Sequence, residues 1–419
     1  MRYRIDSTWT RYGSVVLAGS PLRLFRTTAA GEQVLRQLER GDDVGGSRLA
    51  ERLVDSGSIH PIPSAPGRFG LDDVTIVTPQ LRTSPTDRAH DDGRITIDDG
   101  SVPALPGASR RLAHNQGPAT ARNTARALVD TPLVAFVDAD VGTGDRAIWL
   151  RPLLPHFDDP SVGLVAPRVA GEDGSPLDLG GEPARIRAGT RVSYVPGAAL
   201  VVRVDALDSI GGFDPTLRFG EDVDLVWRLD EAGWRCRYEP TSTVWHEPRP
   251  NIRARLRQHA GYGSSAASLA LRHPSALSPV RCNGWTAGVW AALAIGHPAA
   301  AVLLAIGSSA ALAPKLADVP PSAAIGLALR GHLAAGRQFA QAVRRTWWPI
   351  ILVASLVSRR ARRIAVASLL VGGRAAPTDV AYGWGVWIGI WRLRTWAPIV
   401  PRLSAWPGRR PDPPTVRPR

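Results

Sequence analysis

Two aspartates separated by one residue follow a short apolar run in the middle of the chain. Residues 133–137 are small or β-branched, which is typical of a buried parallel strand, and Asp138 and Asp140 come directly after it. Side chains alternate along a strand, so both carboxylates leave its carboxyl end on the same face. Two carboxylates at that end of an α/β sheet suit a divalent cation that carries substrate phosphates. The alternative is an ordinary polar exit from a strand.

A second acidic pair, Glu221 and Asp222, lies immediately before a helix predicted over residues 223–231. The positive end of a helix dipole keeps carboxylates at this position ionised, and an ionised carboxylate in a cleft can act as a general base toward a hydroxyl. His246 ends a later strand, where a neutral imidazole can complete an aspartate-based metal site or contact a diphosphate. Routine helix capping and a structural histidine are the competing interpretations.

The elements that would position these groups form an alternating α/β pattern. Strands are predicted at 74–79, 94–98 and 162–167, and the second of them runs into Asp98 and Asp99. A Gly-Pro turn at 117–118 leads into an Ala-rich helix whose amino end, with Arg122 and Asn123, can hold an anion or ribose hydroxyls. An ordinary capped helix is equally compatible with that stretch. Backbone can approach a substrate closely at Gly197.

Together these segments resemble the family-2 glycosyltransferases, whose catalytic domain has the nucleotide-diphospho-sugar transferase (GT-A) fold, a Rossmann-like α/β domain. The resemblance covers about 175 residues, in the strand ending at Pro79 and at residues 98–101, 115–123, 138–140, 211–213, 220–222 and 245–246. It implies inverting transfer from a nucleotide-diphosphate sugar with a divalent metal, Mn or Mg. The implied roles are nucleobase contact for Asp98 or Asp99, donor binding for Arg122 and Asn123, ribose contact for Asp138, metal binding for Asp140 and His246, and base catalysis for Asp222 beside Glu221.

Two departures from that family pattern stand out. The segment 80–93 is shorter than the helix usual after the first strand, which puts nucleotide contacts made there in doubt. The processive-synthase motif Gln-x-x-Arg-Trp is absent, since Gly261 stands where arginine is usual.

The whole chain is also similar to the mycofactocin-system glycosyltransferases, on residues 17–24, 49–61, 262–267 and 272–274. That similarity implies transfer of a hexose, glucose by preference, to a peptide-derived redox cofactor (a premycofactocin-like acceptor), with a short β-1,4 glucan as product. The amino-terminal unit then resembles the winged-helix domains that recognise peptides. The predicted domains are a winged-helix-like unit at 1–66, a GT-A domain at 72–270, an apolar helical region at 280–400 and a disordered tail at 407–419.

Charge is divided unevenly between the two parts of the chain. The formal net charge is +14, but residues 1–250 carry −5 and residues 251–419 carry +19. The basic excess accompanies Trp-rich apolar segments, which favours the cytoplasmic side of a membrane over nucleic acid. Residues 282–314 carry one kinked membrane crossing or two short interfacial helices, and residues 380–391 are predicted to be interfacial. An Ala-rich soluble helical domain is the alternative. Two cysteines are too few for a disulfide framework, so we expect the catalytic part in the cytoplasm.

Two other functions are compatible with the same residues. One is a membrane glycosyltransferase with a lipid or cell-wall acceptor, which the apolar tail would suit. The other is a peptide-binding scaffold with a decayed transferase domain, which the short segment 80–93 would suit.

Overall fold

The computed structural model describes residues 1–82, 93–171, 175, 177–246, 251–274 and 276–404, and the chain divides into two compact units, Met1–Pro250 and Asn251–Arg419. The tail predicted at 407–419 and most of the segment 80–93 lie outside the described residues.

The first unit begins with a small α/β part. Its elements are β1 (Arg2–Ile5), β2 (Thr10–Tyr12), β3 (Val15–Ala18), β4 (Arg23–Arg26), α1 (Ala29–Arg40), α2 (Arg48–Asp55) and β5 (Ile59–Ile62). β2, β3 and β4 form an antiparallel meander, and β1 pairs with β5. Thr28 and Ser47 cap the two helices by accepting from backbone N–H groups, as their positions before the apolar periodicity predict.

Apolar side chains of both helices close a core against β3 and β5. Leu35, Leu53, Val16 and Ile59 are fully buried in it. The sequence spacing predicts a strand at 15–17 and helices at 29–38 and 47–55, and β3, α1 and α2 confirm all three. β1, β2 and β4 were not predicted, because each has only three or four residues and mixes different degrees of exposure. The likeness to winged-helix domains stays a prediction.

A nine-stranded mixed sheet follows. Its strands and the associated helices are β6 (Val74–Gln80), β7 (Ile95–Asp98), β8 (Arg110–Arg111), α3 (Pro118–Arg126), β9 (Leu133–Val137), β10 (Val141–Gly142), α4 (Arg146–Leu150), β11 (Val162–Ala170), β12 (Ala184–Ile186), β13 (Ala199–Arg203), α5 (Val204–Ser209), α6 (Glu221–Glu231) and β14 (Arg235–His246). The strand order is β10-β14-β11-β13-β9-β6-β7-β8, with β12 also paired to β14.

The direction of the strands brings their carboxyl ends to one edge. β6, β7 and β9 are mutually parallel, and β11 is parallel to β14. β13 lies antiparallel between β9 and β11, which makes the sheet mixed while keeping β9 and β11 parallel. Consequently Asp98, Asp138 and His246 all lie at the end of the sheet that is formed by the carboxyl ends of β7, β9 and β14.

The core of this sheet consists of fully buried apolar side chains. Leu133, Ala135 and Val137 on β9 are fully buried, and Trp149 and Phe157 cover the same face. Phe136 points to the opposite face and meets Phe213 edge-on, with 5.1 Å between ring centroids. Burial on both faces of β9 explains its continuous apolar sequence, as expected for a central strand.

The second unit is mostly helical. Its elements are α7 (Ile252–Ser264), α8 (Ala266–Arg272), β15 (Arg281–Asn283), α9 (Gly284–Ala294), α10 (Pro298–Leu312), α11 (Pro321–Arg345), α12 (Trp348–Val357), α13 (Arg359–Gly372), α14 (Ala376–Leu393) and β16 (Arg402–Ser404). The apolar stretch 282–314 forms two helices, α9 and α10, on either side of His297-Pro298.

α14 carries the segment predicted to be interfacial, and it is buried on one side. Val386 and Ile390 lie in a cluster with Ala266 of α8, while Trp384 and Trp391 are exposed. By length and composition, two helical stretches of the described chain are apolar enough to cross a membrane, Pro298–Leu316 and Arg359–Leu393, and in each the most apolar 18-residue segment is 11% buried. This is weak evidence for membrane association.

Candidate active site

Asp138 and Asp140 lie where the sequence places them, just beyond the carboxyl end of β9. The Asp138 N–H donates to the Ala198 carbonyl (2.9 Å), which ties the end of β9 to the loop before β13. The Asp138 carbonyl accepts from Val141 N–H (3.1 Å) and closes a turn around Asp140. The side chains are 34% and 47% exposed, so both carboxylates reach solvent.

His246 meets Asp140 across the β10–β14 pairing. Val141 lies opposite His246 in that ladder, and the His246 Nε2 atom is 3.4 Å from the Asp140 Oδ2 atom. Two cis ligands of an octahedral ion with bonds of about 2.1 Å lie about 3 Å apart, so this spacing is compatible with one shared cation. In the part of the chain that the structure describes, no group of three or more His, Cys, Asp or Glu side chains is arranged for a metal.

Arg122 of α3 connects the two acidic pairs. Its side chain is 2% exposed; one guanidinium nitrogen donates to Glu221 Oε1 (2.9 Å), and the other donates to Asp138 Oδ1 (2.6 Å) and to the Gly197 carbonyl (3.2 Å). The guanidinium also stacks over Phe213 at 5.2 Å from the ring centroid. A buried cation with this many acceptors fixes the position of both carboxylates.

Asp222 is held by two backbone N–H groups at the start of α6. Its Oδ2 accepts from Gly197 N–H (2.8 Å) and its Oδ1 from Val223 N–H (2.8 Å). A Cβ at Gly197 would lie 3.2 Å from the Arg122 guanidinium and 3.3 Å from Asp222 Cβ. A larger residue at this position would therefore require Arg122 or Asp222 to shift. α6 starts two residues earlier than predicted, so Glu221 and Asp222 belong to its first turn.

The pKa values of three of these carboxylates are raised. Burial, and then the charge of Asp222, raise the pKa of Glu221 to about 7 against the opposing effect of Arg122. Burial also raises the pKa of Asp222, against the N–H groups of Gly197 and Val223. Burial raises the pKa of Asp138 too, and both Asp140 and Asp222 act on it in the same sense. Asp138 is thus within electrostatic reach of both acidic groups, so the cleft is one site with excess negative charge.

Asn123, next to Arg122 on α3, is fully engaged with the backbone of Phe213. Its Nδ2 donates to the Phe213 carbonyl (2.7 Å) and its Oδ1 accepts from the Phe213 N–H (2.9 Å). Asn123 therefore fixes the ring that lies under the Arg122 guanidinium. Arg122 is buried and Asn123 is half-buried, and their contact with a donor stays a prediction.

Asp98 and Asp99 hold the loops after β7. Asp98 accepts from the N–H groups of Ser101 (2.8 Å) and Leu105 (3.0 Å). Burial alone would raise the pKa of Asp98, but these bonds and nearby Arg111 hold it below its usual value. Asp99 accepts from two N–H groups at the start of α3, those of residues 116 (2.7 Å) and 117 (2.9 Å). Nucleobase contact by either aspartate stays a prediction.

Three contributors to this site were not predicted from the sequence. Residues 122 and 221 are 99 positions apart, and their ion pair follows only from the folded sheet. Phe213 was noted as part of a Gly-Gly-Phe motif without its role beneath Arg122. Gly197 was noted for its close approach, but as a contact for substrate, whereas in the structure its amide binds Asp222.

Comparisons with known proteins agree with this geometry. Residues 183–371 match the family model described as "Glycosyl transferase family group 2". The chain is 37% identical to the "Pre-mycofactocin glycosyltransferase" of Mycobacterium tuberculosis over 93% of its own length and 95% of that protein. It is 28% identical to the "Succinoglycan biosynthesis protein ExoA" of Rhizobium meliloti over 24% of this chain and 37% of that one. Among solved structures, a mannosyltransferase of Pyrobaculum calidifontis in complex with GDP-Man and Mn²⁺ aligns with 87% of this chain and 96% of its own, at 17% identity and a TM-score of 0.46.

The mixed sheet with acidic groups at one edge and the family match define the class of protein, a sugar-transferring enzyme. The chain belongs to the family-2 glycosyltransferases, in the group of the pre-mycofactocin glycosyltransferase, and is a hexosyltransferase.

Proposed function

We propose that the protein transfers a hexose, glucose by preference, from a nucleotide-diphosphate sugar to a peptide-derived redox cofactor in mycofactocin biosynthesis, and builds a short β-1,4 glucan. The observation that carries the transfer reaction is the gathering of Asp138, Asp140, Glu221 and Asp222 around Arg122 in one cleft. The assignment of the acceptor is supported by the name of the relative that is 37% identical over 93% of the chain.

The reaction is a direct displacement with inversion. The acceptor oxygen forms a bond to the anomeric carbon while the bond from that carbon to the diphosphate oxygen breaks, and Asp222 takes the acceptor proton. The two backbone N–H bonds to Asp222 fix its orientation and leave further lone pairs on both oxygens. Its raised pKa makes it a stronger base than an exposed aspartate. Glu221 acts indirectly, by holding Arg122 in place.

Asp140 and His246 would hold a divalent cation, Mn or Mg. The carboxylate and imidazole are close enough to serve as cis ligands, and two protein ligands leave room for phosphate oxygens. The ion would supply positive charge to the departing diphosphate. Asp138, fixed by Arg122, is proposed to contact the donor ribose.

The small amino-terminal part is proposed to bind the peptidic acceptor. Ion pairs fix it against the large sheet within the first unit: Arg185 and Arg235 both contact Asp55, and Arg191 contacts Asp6. A recognition module held this firmly would present its acceptor in a constant orientation. We place the enzyme at the cell membrane with the catalytic part on the cytoplasmic side, on the strength of the basic, apolar second unit.

A lipid-linked or cell-wall acceptor is the second candidate. It is favoured by the apolar helices and by 34% identity over 22% of the chain to an "N-acetylglucosaminyl-diphospho-decaprenol L-rhamnosyltransferase" of Mycobacterium tuberculosis.

Transfer assays with both acceptors test this proposal. The wild type and Asp222→Asn are incubated with UDP-glucose, GDP-mannose or other nucleotide sugars and with the peptide cofactor or a polyprenyl-diphosphate acceptor, followed by intact-mass analysis. We expect hexose additions to the peptide cofactor, reduced about 10²–10⁴-fold in the variant because the base is lost. Asp208→Asn, the same change in an exposed ion pair, is the control and should retain activity. Hexose on the lipid acceptor alone would replace the proposed substrate, and full activity of Asp222→Asn would reject the assigned base.

Metal-dependent donor binding tests the cation site. Titration calorimetry with a nucleoside diphosphate should show binding that requires manganese in the wild type and that is lost in Asp140→Ala. Equal binding with and without manganese would contradict the proposed role of Asp140.

A further inference from the structure

The helices α12 and α13 expose an unusually apolar outer surface to water. On α12, the side chains of residues 352, 353, 356 and 357 are 58%, 65%, 77% and 90% exposed, and all four are leucine or valine. On α13, Val366 and Leu370 are 56% and 77% exposed. A soluble helix normally turns such residues inward, and among the residues that the structure describes this surface is not covered.

The orientation of α13 follows from its buried residues. Ala361 and Ser368, two turns apart, are buried, and the Ser368 carbonyl accepts from the Arg344 guanidinium of α11. The opposite side of the helix carries the exposed stripe 359, 363, 366 and 370, which begins with two arginines and ends with valine and leucine. The exposed face of α13 is therefore positively charged at its amino end and apolar at its carboxyl end.

Four exposed arginines surround the point where the two helices join. We call Arg359, Arg360, Arg362 and Arg363 the tip arginines; Ser358, which caps α13, is the single residue between the helices. Residues 251–404 contain only two acids, Asp318 and Asp379. Asp379 is buried and bound by Arg344 and Arg345. The tip thus combines exposed aliphatic side chains with positive charge that acids of this unit hardly offset.

Taken singly, these helices are too short to cross a bilayer, and the longer apolar stretch Arg359–Leu393 is interrupted at Gly373. At 1.5 Å per residue, the 10 residues of α12 and the 14 residues of α13 extend about 15 Å and 21 Å, against about 30 Å of hydrocarbon. After α13 the backbone turns at Gly373, whose φ is +50°, before α14 begins. One side of α14, which includes Val386 and Ile390, is buried against other parts of the second unit.

We propose that the α12–α13 hairpin lies in the plane of one leaflet of an anionic membrane, with its aliphatic side chains in the acyl region and the tip arginines on lipid phosphates. Arginine stems can bury along apolar surface while their guanidinium groups reach the headgroups. Aliphatic burial and attraction to anionic lipid act together in such interfacial helices. This inference extends the membrane attachment proposed above by naming the surface, the lipid charge and a mode of binding without a crossing.

Flotation of the full-length protein with vesicles tests the inference. The probes are vesicles of phosphatidylcholine alone and with about 30% phosphatidylglycerol as the anionic lipid. We expect at least tenfold tighter binding to the anionic vesicles, and release by alkaline carbonate. Each basic residue near an anionic surface contributes roughly fivefold, so replacing all four tip arginines by glutamine should weaken binding by up to about 10³-fold at low salt. Leu356→Glu with Val357→Glu should also abolish binding.

The matched control removes the same charge from exposed positions of the first unit. It replaces four other arginines by glutamine, namely Arg23, Arg40, Arg48 and Arg52. This control should bind like the wild type; an equal loss would reduce the effect to net charge and overturn the inference. Resistance to carbonate, or equal binding to both vesicles, would also overturn it.

Hexosyl transfer in detergent keeps this test separate from the proposed function. The tip variants should retain transfer, because they leave the cleft untouched. If the wild type transfers hexose but binds both kinds of vesicle equally, only the proposed membrane binding by the hairpin is rejected. If it binds anionic vesicles but transfers no hexose, only the proposed reaction is rejected.

Discussion

Replacing Arg122 by methionine tests whether the guanidinium is the structural centre of the acidic cleft. Methionine keeps an unbranched apolar stem against Phe213 but removes two charge-assisted hydrogen bonds and one bond to a carbonyl. Removing one member of a buried ion pair costs about 3–5 kcal/mol, because the remaining charges stay buried. We therefore expect a loss of this size in the free energy of unfolding at high pH.

The loss should depend on pH, with a definite sign. In the wild type the pKa of Glu221 is about 7, above the value of about 4.3 for an unfolded chain, so ionisation of Glu221 lowers stability between these two pH values. Without Arg122 the pKa of Glu221 is higher still, so the variant keeps losing stability above pH 7, where this loss is complete in the wild type. At pH 5 the Glu221 carboxyl group is protonated in both folded proteins, so the penalty for a buried, unpaired Glu221 carboxylate is absent and the destabilisation should be smaller than at high pH.

The measurement is urea unfolding of the full chain at pH 5 and pH 9, read by pulsed hydrogen–deuterium exchange in peptides that cover β9 and β13. Arg126→Met is the control, since Arg126 lies on the same helix but pairs with Asp208, which is half exposed. Such a surface pair contributes about 0–1 kcal/mol. Equal destabilisation at both pH values, or a loss no larger than that of the control, would refute the central role of Arg122.

Two further changes probe the cleft and the second unit. Glu221→Gln should move the acid limb of the pH profile of kcat/KM to lower pH, because it removes a negative charge beside Asp222 and frees Arg122 to act on the other carboxylates. An acid limb that stays in place or moves to higher pH would contradict this electrostatic interaction between Glu221 and Asp222. Gly263→Ala should destabilise the second unit, since an added Cβ would overlap the Tyr382 carbonyl. Gly326→Ala is the control: its added Cβ meets nothing within 4 Å, so the change should be neutral or stabilising by up to about 1 kcal/mol. Thermal unfolding compares the two variants, and equal effects would refute close packing of α7 on α14.

The positions of the key carboxylates could be predicted from the sequence because they depend on local rules. Asp138 follows a continuous apolar run, and its placement at the carboxyl end of a buried strand needs only the alternation of side chains. Asp222 lies two residues after Gly220 and directly before the predicted helix 223–231, which is enough to place it near a helix start. Both predictions are confirmed as positions in the fold, and the roles assigned to these residues stay predictions.

Other features depend on pairing between distant segments, and local rules do not contain that information. β13 lies antiparallel between β9 and β11, although its apolar sequence is that of any buried strand. The Arg122–Glu221 pair requires α3 and α6 to meet at the same edge. α14 was predicted to be interfacial from its tryptophans, but the residues between them bury one side of the helix against α8.

The charge of the cleft sets an order on the proposed reaction. Asp138, Asp140, Glu221 and Asp222 can carry four negative charges against the one positive charge of Arg122. Burial is the main cause of the raised pKa values of Asp138, Glu221 and Asp222, and neighbouring carboxylates add to it at Asp138 and Glu221. A nucleoside diphosphate brings further negative charge, so the cleft alone would repel the donor that it is proposed to bind. A divalent cation at Asp140 and His246 would reverse this balance next to the phosphates. Asp222, the proposed base, is held in place by two backbone amides. We therefore expect cation and donor to bind together, before the acceptor hydroxyl reaches its base.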